Sequence, residues 1–308
     1  HCPSFGVHYC FPSSERLLVN KKIAVVIPCH NNLEVLKASI PAIYSDDYAL
    51  VVFDDGSSDG TKLWLKKNYP KIKVLSGDGS NWWAGSLAKS VDYCKELGFE
   101  YLVSLNADVL ISPQIVKDLL RQSRQHGDAI IASVVVDVSN PETILWAGSS
   151  FGKIHNLVPI YVSRYIVKSG THVSKLPEKV YQVDEIHGRG VLLPMSVFKQ
   201  IGNYDRLTFP QYGGDTDFSL RAKRHGVKMF VDPSSVAQVF VQNTSLNRLE
   251  RLTFREKLLS IKHYLFDRKN GEALYVWWNL YKKHLPYAYL LQSFCFVILL
   301  NVYRKIVR

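Results

Sequence analysis

Cysteine is scarce and poorly placed for a structural role: Cys2, Cys10, Cys29, Cys94 and Cys295 are odd in number, scattered, and include no CxxC pair. That spacing excludes a zinc ribbon or a disulfide scaffold and fits a reducing cytosol. There is no HExxH, no Walker loop, no Ser–His–Asp set and no Cys/His cluster, and the ten histidines are dispersed. Zinc and hydrolase chemistry therefore have no foothold. The first twenty residues lack a continuous apolar core, so no secretory signal is expected. The chain starts at His1 rather than Met, which suggests a trimmed start. Acids are scarce at one end: from Val241 to Arg308, twelve Lys/Arg face four Asp/Glu, which accounts for +8 of the formal net charge of +11. The body is close to neutral, and the basicity is a C-terminal property. No repeat or low-complexity tract appears, and 47% hydrophobic residues in 308 argue for a substantial core rather than disorder.

What is present first is a strand ending in acid. Val51-Val52-Phe53 reads as a buried parallel strand, and Asp54-Asp55 fall at its C-terminal end, where open α/β sheets place ligands. Gly56-Ser57-Ser58-Asp59-Gly60 then turns the chain, and Ser58 or Asp59 can cap a helix starting near Thr61. Two adjacent acids there point to a bound nucleotide. Around this stretch strand and helix alternate: strands at Ile23–Ile27, Ala49–Phe53, Ile72–Leu75, Tyr101–Leu105 and Ala129–Val138, helices at Asn32–Tyr44, Thr61–Asn68, Ala84–Leu97 and Pro113–His126. Such spacing predicts βαβ units and a mostly parallel sheet. Residues 141–185 are less periodic and read as an irregular or antiparallel excursion, and the chain beyond about Asn243 reads as helical, aromatic and basic.

Four further segments carry candidate chemistry. Asn106-Ala107-Asp108 follows a strand over the same crevice, where Asp108 either holds a hard divalent cation or caps a turn. Gly77 to Gly85, containing Trp82 and Trp83, is a glycine-rich loop leading into a helix, with a tryptophan either walling a sugar site or packing in the core. Asp215 and Asp217 open another helix, where one caps and the other acts as a general base on a hydroxyl. His187-Gly188-Arg189-Gly190 is a close-approach loop in which Arg189 either meets phosphate or is solvated.

In order, IAVVIPCHNN, VVFDDGSSDGT, NWWAGSLAKS, LNADV and GRGVLLP followed by FPQYGGDTDFSLRAKRHG resemble the family 2 glycosyltransferases, and within them a rhamnosyltransferase-like bacterial branch. The resemblance covers roughly residues 22–240. It implies a GT-A (nucleotide-diphospho-sugar transferase) α/β fold with a mostly parallel central sheet, flanking helices and a C-terminal helical extension. It divides the chain into an arm (1–20), a catalytic domain (21–245) and a basic, apolar C-terminal segment (246–308). By the same resemblance Pro28, His30, Asp54, Asp55, Trp83, Gly85 and Asn106 bind the donor, Asp108 ligates Mg²⁺ or Mn²⁺, and Asp215 is the catalytic base. It further implies inverting transfer from a UDP- or dTDP-sugar to a glycan, lipid-linked, in bacterial surface polysaccharide synthesis on the cytoplasmic face of the inner membrane. Three positions depart from the family pattern: Asn106 replaces the first acid of the metal motif, Gly214 the Glu before the base, and Gln238 is where relatives carry a metal-binding His.

Leu285–Tyr303 carries no charge and lies between Lys282-Lys283 and Arg304-Lys305. Nineteen helical residues span about 28 Å, but Pro286, Gln292, Ser293 and Asn301 favour an interfacial or protein-packed helix over insertion. Competing readings are a nucleotidyltransferase, which Pro28-Cys29-His30 does not suit, a degenerate transferase-fold scaffold, and a nucleic-acid binder, for which no reading motif is present.

Overall fold

The computed structural model describes residues 22–155, 158–240 and 273–307. The expected arm at 1–20 and the first part of the C-terminal segment, 246–272, lie outside these residues. The first half follows the alternating pattern: β1 (Ile23–Cys29), α1 (Leu33–Ile43), β2 (Ala49–Asp54), α2 (Thr61–Asn68), β3 (Lys73–Ser76), α3 (Trp82–Glu96) and β4 (Tyr101–Ser104). Every residue of β1 and β2 is buried, as two covered faces require, whereas β3 at the sheet edge is partly exposed. β1 lies between β2 and β4 and is parallel to both. The chain therefore reverses its direction of travel across the sheet at β1, which opens a crevice at the C-terminal ends of β1 and β4.

The second half comprises β5 (Val109–Leu110), α4 (Pro113–Gln125), β6 (Ile130–Asp137), β7 (Asn140–Trp146), β8 (Ser149–His155), β9 (Val158–Tyr165), β10 (Tyr181–Gln182) and β11 (Val191–Pro194). It continues with α5 (Met195–Ile201), α6 (Gly214–Arg224), β12 (Met229–Val239), α7 (Leu274–His284) and α8 (Tyr287–Val307). The main sheet has ten strands, with the central order β10-β12-β6-β11-β4-β1-β2-β3. It is more mixed than the strand–helix alternation predicts, because β11 enters antiparallel to both β4 and β6. This inversion positions the site. Val191, the first residue of β11, pairs with Ser104, the last of β4, so the loop before β11 arrives at the crevice.

The excursion expected at 141–185 resolves into β7, paired on β6, and the separate β8–β9 ribbon. That ribbon and α6 form the floor for the C-terminal helices. Tyr281 on α7 donates to the Tyr161 carbonyl at 2.9 Å, and Ser293 on α8 accepts from the Tyr161 N–H at 2.9 Å. Ala273, Val276 and Leu280 pack with the buried Phe209, and Leu290 and Val297 pack with Val162. The opposite side of α8 exposes Tyr287, Leu291, Cys295, Leu299 and Tyr303. Among the described residues no helix is long and apolar enough to cross a membrane.

Because Leu280 is 3% exposed and fills the gap between α7 and Phe209, Leu280→Ala is expected to cost about 2–5 kcal/mol. Urea unfolding of the two proteins measures the difference.

Candidate active site

The crevice at the ends of β1 and β4 holds a cleft of about 190 Å³, lined by Pro28, Asn32, Val35, Trp83, Asn106, Ala107 and Asp108. Four of the residues singled out in the sequence thus meet in one place: Pro28, Trp83, Asn106 and Asp108. Asn32, Val35 and Ala107 join them.

The acids after β2 build the loop beside the cleft. Asp55 Oδ1 accepts from the Gly79 N–H at 3.0 Å and Asn81 Nδ2 at 2.8 Å, while Oδ2 accepts from the Asn81 N–H at 3.0 Å and the Trp82 N–H at 2.8 Å. Four donors occupy about as many lone-pair positions as a carboxylate has. The acid therefore stabilises the first turn of α3 electrostatically as well as by hydrogen bonding. Gly77 is required here, since a Cβ would stand 2.2 Å from Asp55 Oδ1. Asp54 is also buried and accepts from the Ser57 N–H at 2.9 Å. His30 Nδ1 lies 2.6 Å from the Asp55 carbonyl, which places its proton on Nδ1 and leaves Nε2 to accept from Asn31 Nδ2 at 3.1 Å. Asp59 accepts from the Thr61 N–H at 3.1 Å and the Leu33 N–H at 2.8 Å, joining the starts of α2 and α1. Gly85 lies inside α3, where a Cβ would come within 3.2 Å of Asn81 Cβ.

Held in this way, Trp83 is central to the site. Its Nε1–H donates to Asn106 Oδ1 at 2.9 Å, and its backbone N–H donates to Gln211 Oε1 at 3.2 Å. Its ring meets Tyr204 edge-on at 5.6 Å and lies so close to Gly188 that a Cβ there would be 2.6 Å from Cζ2. Gly188 and Gln211 lie within the quoted segments GRGVLLP and FPQYGGDTDF without having been given a role, and Tyr204 lies outside every segment singled out in the sequence.

Asp215 and Asp217 stand at the start of α6, whose Gly214 packs beside the Trp83 ring, in opposite environments. Asp215 Oδ2 accepts one hydrogen bond, from the Gly188 N–H at 3.2 Å. Desolvation pushes its carboxyl up to about 7, against the pull of that N–H and of the Arg189 charge. Burial would raise the Asp217 carboxyl as well, but His284, Lys283 and Arg221 together hold it down to about 2. Asp217 contacts Arg221 Nε at 2.9 Å, Lys283 Nζ at 2.8 Å and His284 Nε2 at 2.9 Å. Asp217 thus ties α6 to the end of α7, and Asp215 is held by the Gly188 N–H. His187 is a packing residue, stacked on Trp146 at 4.6 Å, and burial lowers its pKa to about 3.

Among the described residues no three His, Cys, Asp or Glu side chains converge as a metal site. At the end of β4 the donor set is the Asp108 carboxylate, raised by desolvation, because the Asn106 oxygen already accepts from Trp83. A single carboxylate suits a hard divalent ion only when phosphates and water supply its other ligands.

The two acids should separate in stability measurements. Asp217 lies below its unfolded pKa, so its contribution of about 2 kcal/mol is present above about pH 4 and is lost as pH falls towards 2. Asp217→Ala should therefore cost about 3–5 kcal/mol at neutral pH and less in acid. Asp215 lies above its unfolded pKa, so its ionisation opposes folding. Asp215→Asn should stabilise the fold by an amount that grows from pH 4 to about 7 and then levels off. Urea midpoints across pH check both signs.

The profile of Glycosyl transferase family 2 matches residues 24–190. The low-salt glycan biosynthesis hexosyltransferase of Haloferax volcanii is 24% identical over 193 residues, 58% of this chain and 54% of that protein. An uncharacterized glycosyltransferase of Rickettsia typhi is 23% identical over 238 residues, 74% of this chain and 68% of its own. The crystal structure of GalNAc-T7 with UDP, GalNAc and Mn²⁺ has the same fold, with a TM-score of 0.55 at 14% identity, over 90% of this chain and 53% of that one. The chain thus spans about half the length of the Haloferax and GalNAc-T7 proteins. A GT-A α/β fold with its cleft at the sheet's switch point, matched by the family profile over more than half the sequence, makes this chain a member of glycosyl transferase family 2.

Proposed function

We propose that this protein is an inverting glycosyltransferase that moves a sugar from a nucleotide-diphosphate donor, of the UDP or dTDP class, to a hydroxyl of a glycan acceptor. The observation that carries the reading is the contrast between Asp215 and Asp217. One is committed to Arg221, Lys283 and His284, and the other is raised towards neutrality by burial. A general base works best when its pKa lies near the working pH.

In this reading the nucleotide occupies the ends of β1 and β2, against Pro28, His30 and Asp54. Asp55 and Gly85 act through the loop they shape, and Trp83 with Asn106 walls the sugar. Asp215 takes the proton of the acceptor hydroxyl as its oxygen bonds to the anomeric carbon. The bond from that carbon to the diphosphate breaks on the opposite face, and the nucleoside diphosphate leaves. A divalent ion arriving with the donor would have Asp108 as its protein ligand and would supply countercharge to the diphosphate.

A membrane-side, lipid-linked acceptor is supported by two features. The outward face of α8 is apolar and aromatic, with Tyr287, Leu291, Leu299 and Tyr303 exposed, and the sequence after Glu272 holds five Lys/Arg and no acid. Aromatic and aliphatic contact together with basic attraction to anionic lipid is the pattern of a peripheral helix. Bacterial surface polysaccharide synthesis, by a rhamnosyltransferase-like enzyme on the cytoplasmic face, is the setting this reading favours.

Nucleoside diphosphate release from a panel of UDP-, dTDP- and GDP-sugars with glycan acceptors tests the chemistry. The rate should rise with pH through about 7 as Asp215 ionises, and Asp215→Asn should lose about 10²–10⁴-fold. Full activity in that variant would remove Asp215 from the role of base. For the membrane, wild type should float with anionic liposomes, and Leu291→Glu with Leu299→Glu should reduce flotation. Equal flotation of the two forms would overturn that part.

A further inference from the structure

The loop before β11 carries a cation that nothing so far has used. Arg189 is half-buried and, among the described residues, its side chain makes no hydrogen bond or ion pair. Yet its charge acts on both acids of the site, lowering Asp108 and Asp215 alike. Its place is fixed by the backbone on either side. The Gly188 N–H is bonded to Asp215 Oδ2 at 3.2 Å. The Gly190 N–H is bonded to the Ser104 carbonyl at 3.0 Å, at the point where β4 runs into Asn106. Neither neighbour tolerates a side chain, because a Cβ on Gly188 would strike Trp83 at 2.6 Å and one on Gly190 would come within 2.9 Å of Ser133 Oγ. Arg189 is thus wedged between the proposed base and the Asn106–Asp108 turn.

A half-buried guanidinium with no hydrogen bond or ion pair among the described residues is costly, and its five donors in a planar fork suit phosphate oxygens. A diphosphate entering this cleft meets the Asp108 carboxylate and, among the described residues, no cluster of metal ligands. It needs a positive charge that the site itself holds. Resting on the transferase reading above, we propose that Arg189 is the fixed cationic partner of the donor's diphosphate. It receives the diphosphate on binding and faces the negative charge that develops on it when the bond to the anomeric carbon breaks. Donor binding then does not depend on a divalent ion. The ion adds to a charge already built into the loop before β11.

The test is calorimetric binding of UDP, dTDP and GDP, and of the matching nucleosides, in EDTA and in Mn²⁺, to wild type, Arg189→Gln and Arg189→Lys. Thermal melts show that each variant folds. Wild type should bind one diphosphate in EDTA. Arg189→Gln should weaken that binding about 10–100-fold while leaving nucleoside affinity unchanged, and Arg189→Lys should recover part of the loss. Unchanged diphosphate binding by Arg189→Gln in EDTA would overturn the proposal, and so would wild-type binding that disappears in EDTA. If wild type binds no nucleotide in either condition, the transferase reading itself fails, and this proposal fails with it.

Discussion

The site depends first on how the Asp55 carboxylate is spent. A carboxylate at the buried end of a central strand must be neutralised or hydrogen-bonded, and here four donors from residues 79–82 satisfy it. Satisfying it holds the first turn of α3 against β2 and places Trp83 over the end of β4. Trp83 in turn engages Asn106 by its indole N–H and the Gly188 loop by its ring. The Gly188 N–H then meets Asp215. From Asp55 to Asp215, each contact positions the next, so a change at the strand end is felt across the cleft.

Charge is distributed with the same economy. Asp215 and Asp217 are two residues apart on one helix, and burial acts on both in the same direction. What separates them is the partners each meets: α7 brings Lys283 and His284 to Asp217, and α6 itself supplies Arg221. A buried ion network of this kind is a doubtful source of net stability but a strong determinant of arrangement. It fixes how α7 docks on α6, and among the described residues no cation contacts Asp215. The C-terminal helices are therefore part of the structure that sets the proposed base, and α8, carried by α7, turns its apolar side outward.

Much of the fold could be read from residue patterns. The apolar runs at 23–27 and 49–53, the helices starting at Thr61 and Pro113, and the acids after β2 all follow from local rules, because both faces of a parallel strand must be covered and helix starts carry recognisable signals, here Asp59 bonded to the Thr61 N–H and a proline in the first turn. The convergence of Pro28, Trp83, Asn106 and Asp108 was also accessible, since strand ends in an α/β sheet share one edge. The antiparallel entry of β11 was not, because strand direction leaves no trace in a four-residue apolar run. Nor was the fate of Asp55, whose partners lie twenty-four or more residues away.

The sequence by itself determined the layered α/β architecture, the position of acids at strand and helix ends, and the basic, uncharged-centred C-terminal stretch, because these depend on periodicity and local composition. Only the tertiary structure decided which acid meets Arg221, Lys283 and His284 and which meets the Gly188 N–H. Asp215 and Asp217 have nearly the same local sequence. They differ because Lys283 and His284, more than sixty residues further on, reach one carboxylate and not the other. For Arg189 the sequence leaves a phosphate contact and a solvated loop residue both open, and the pairing of β11 against β4 brings its loop to the end of β4.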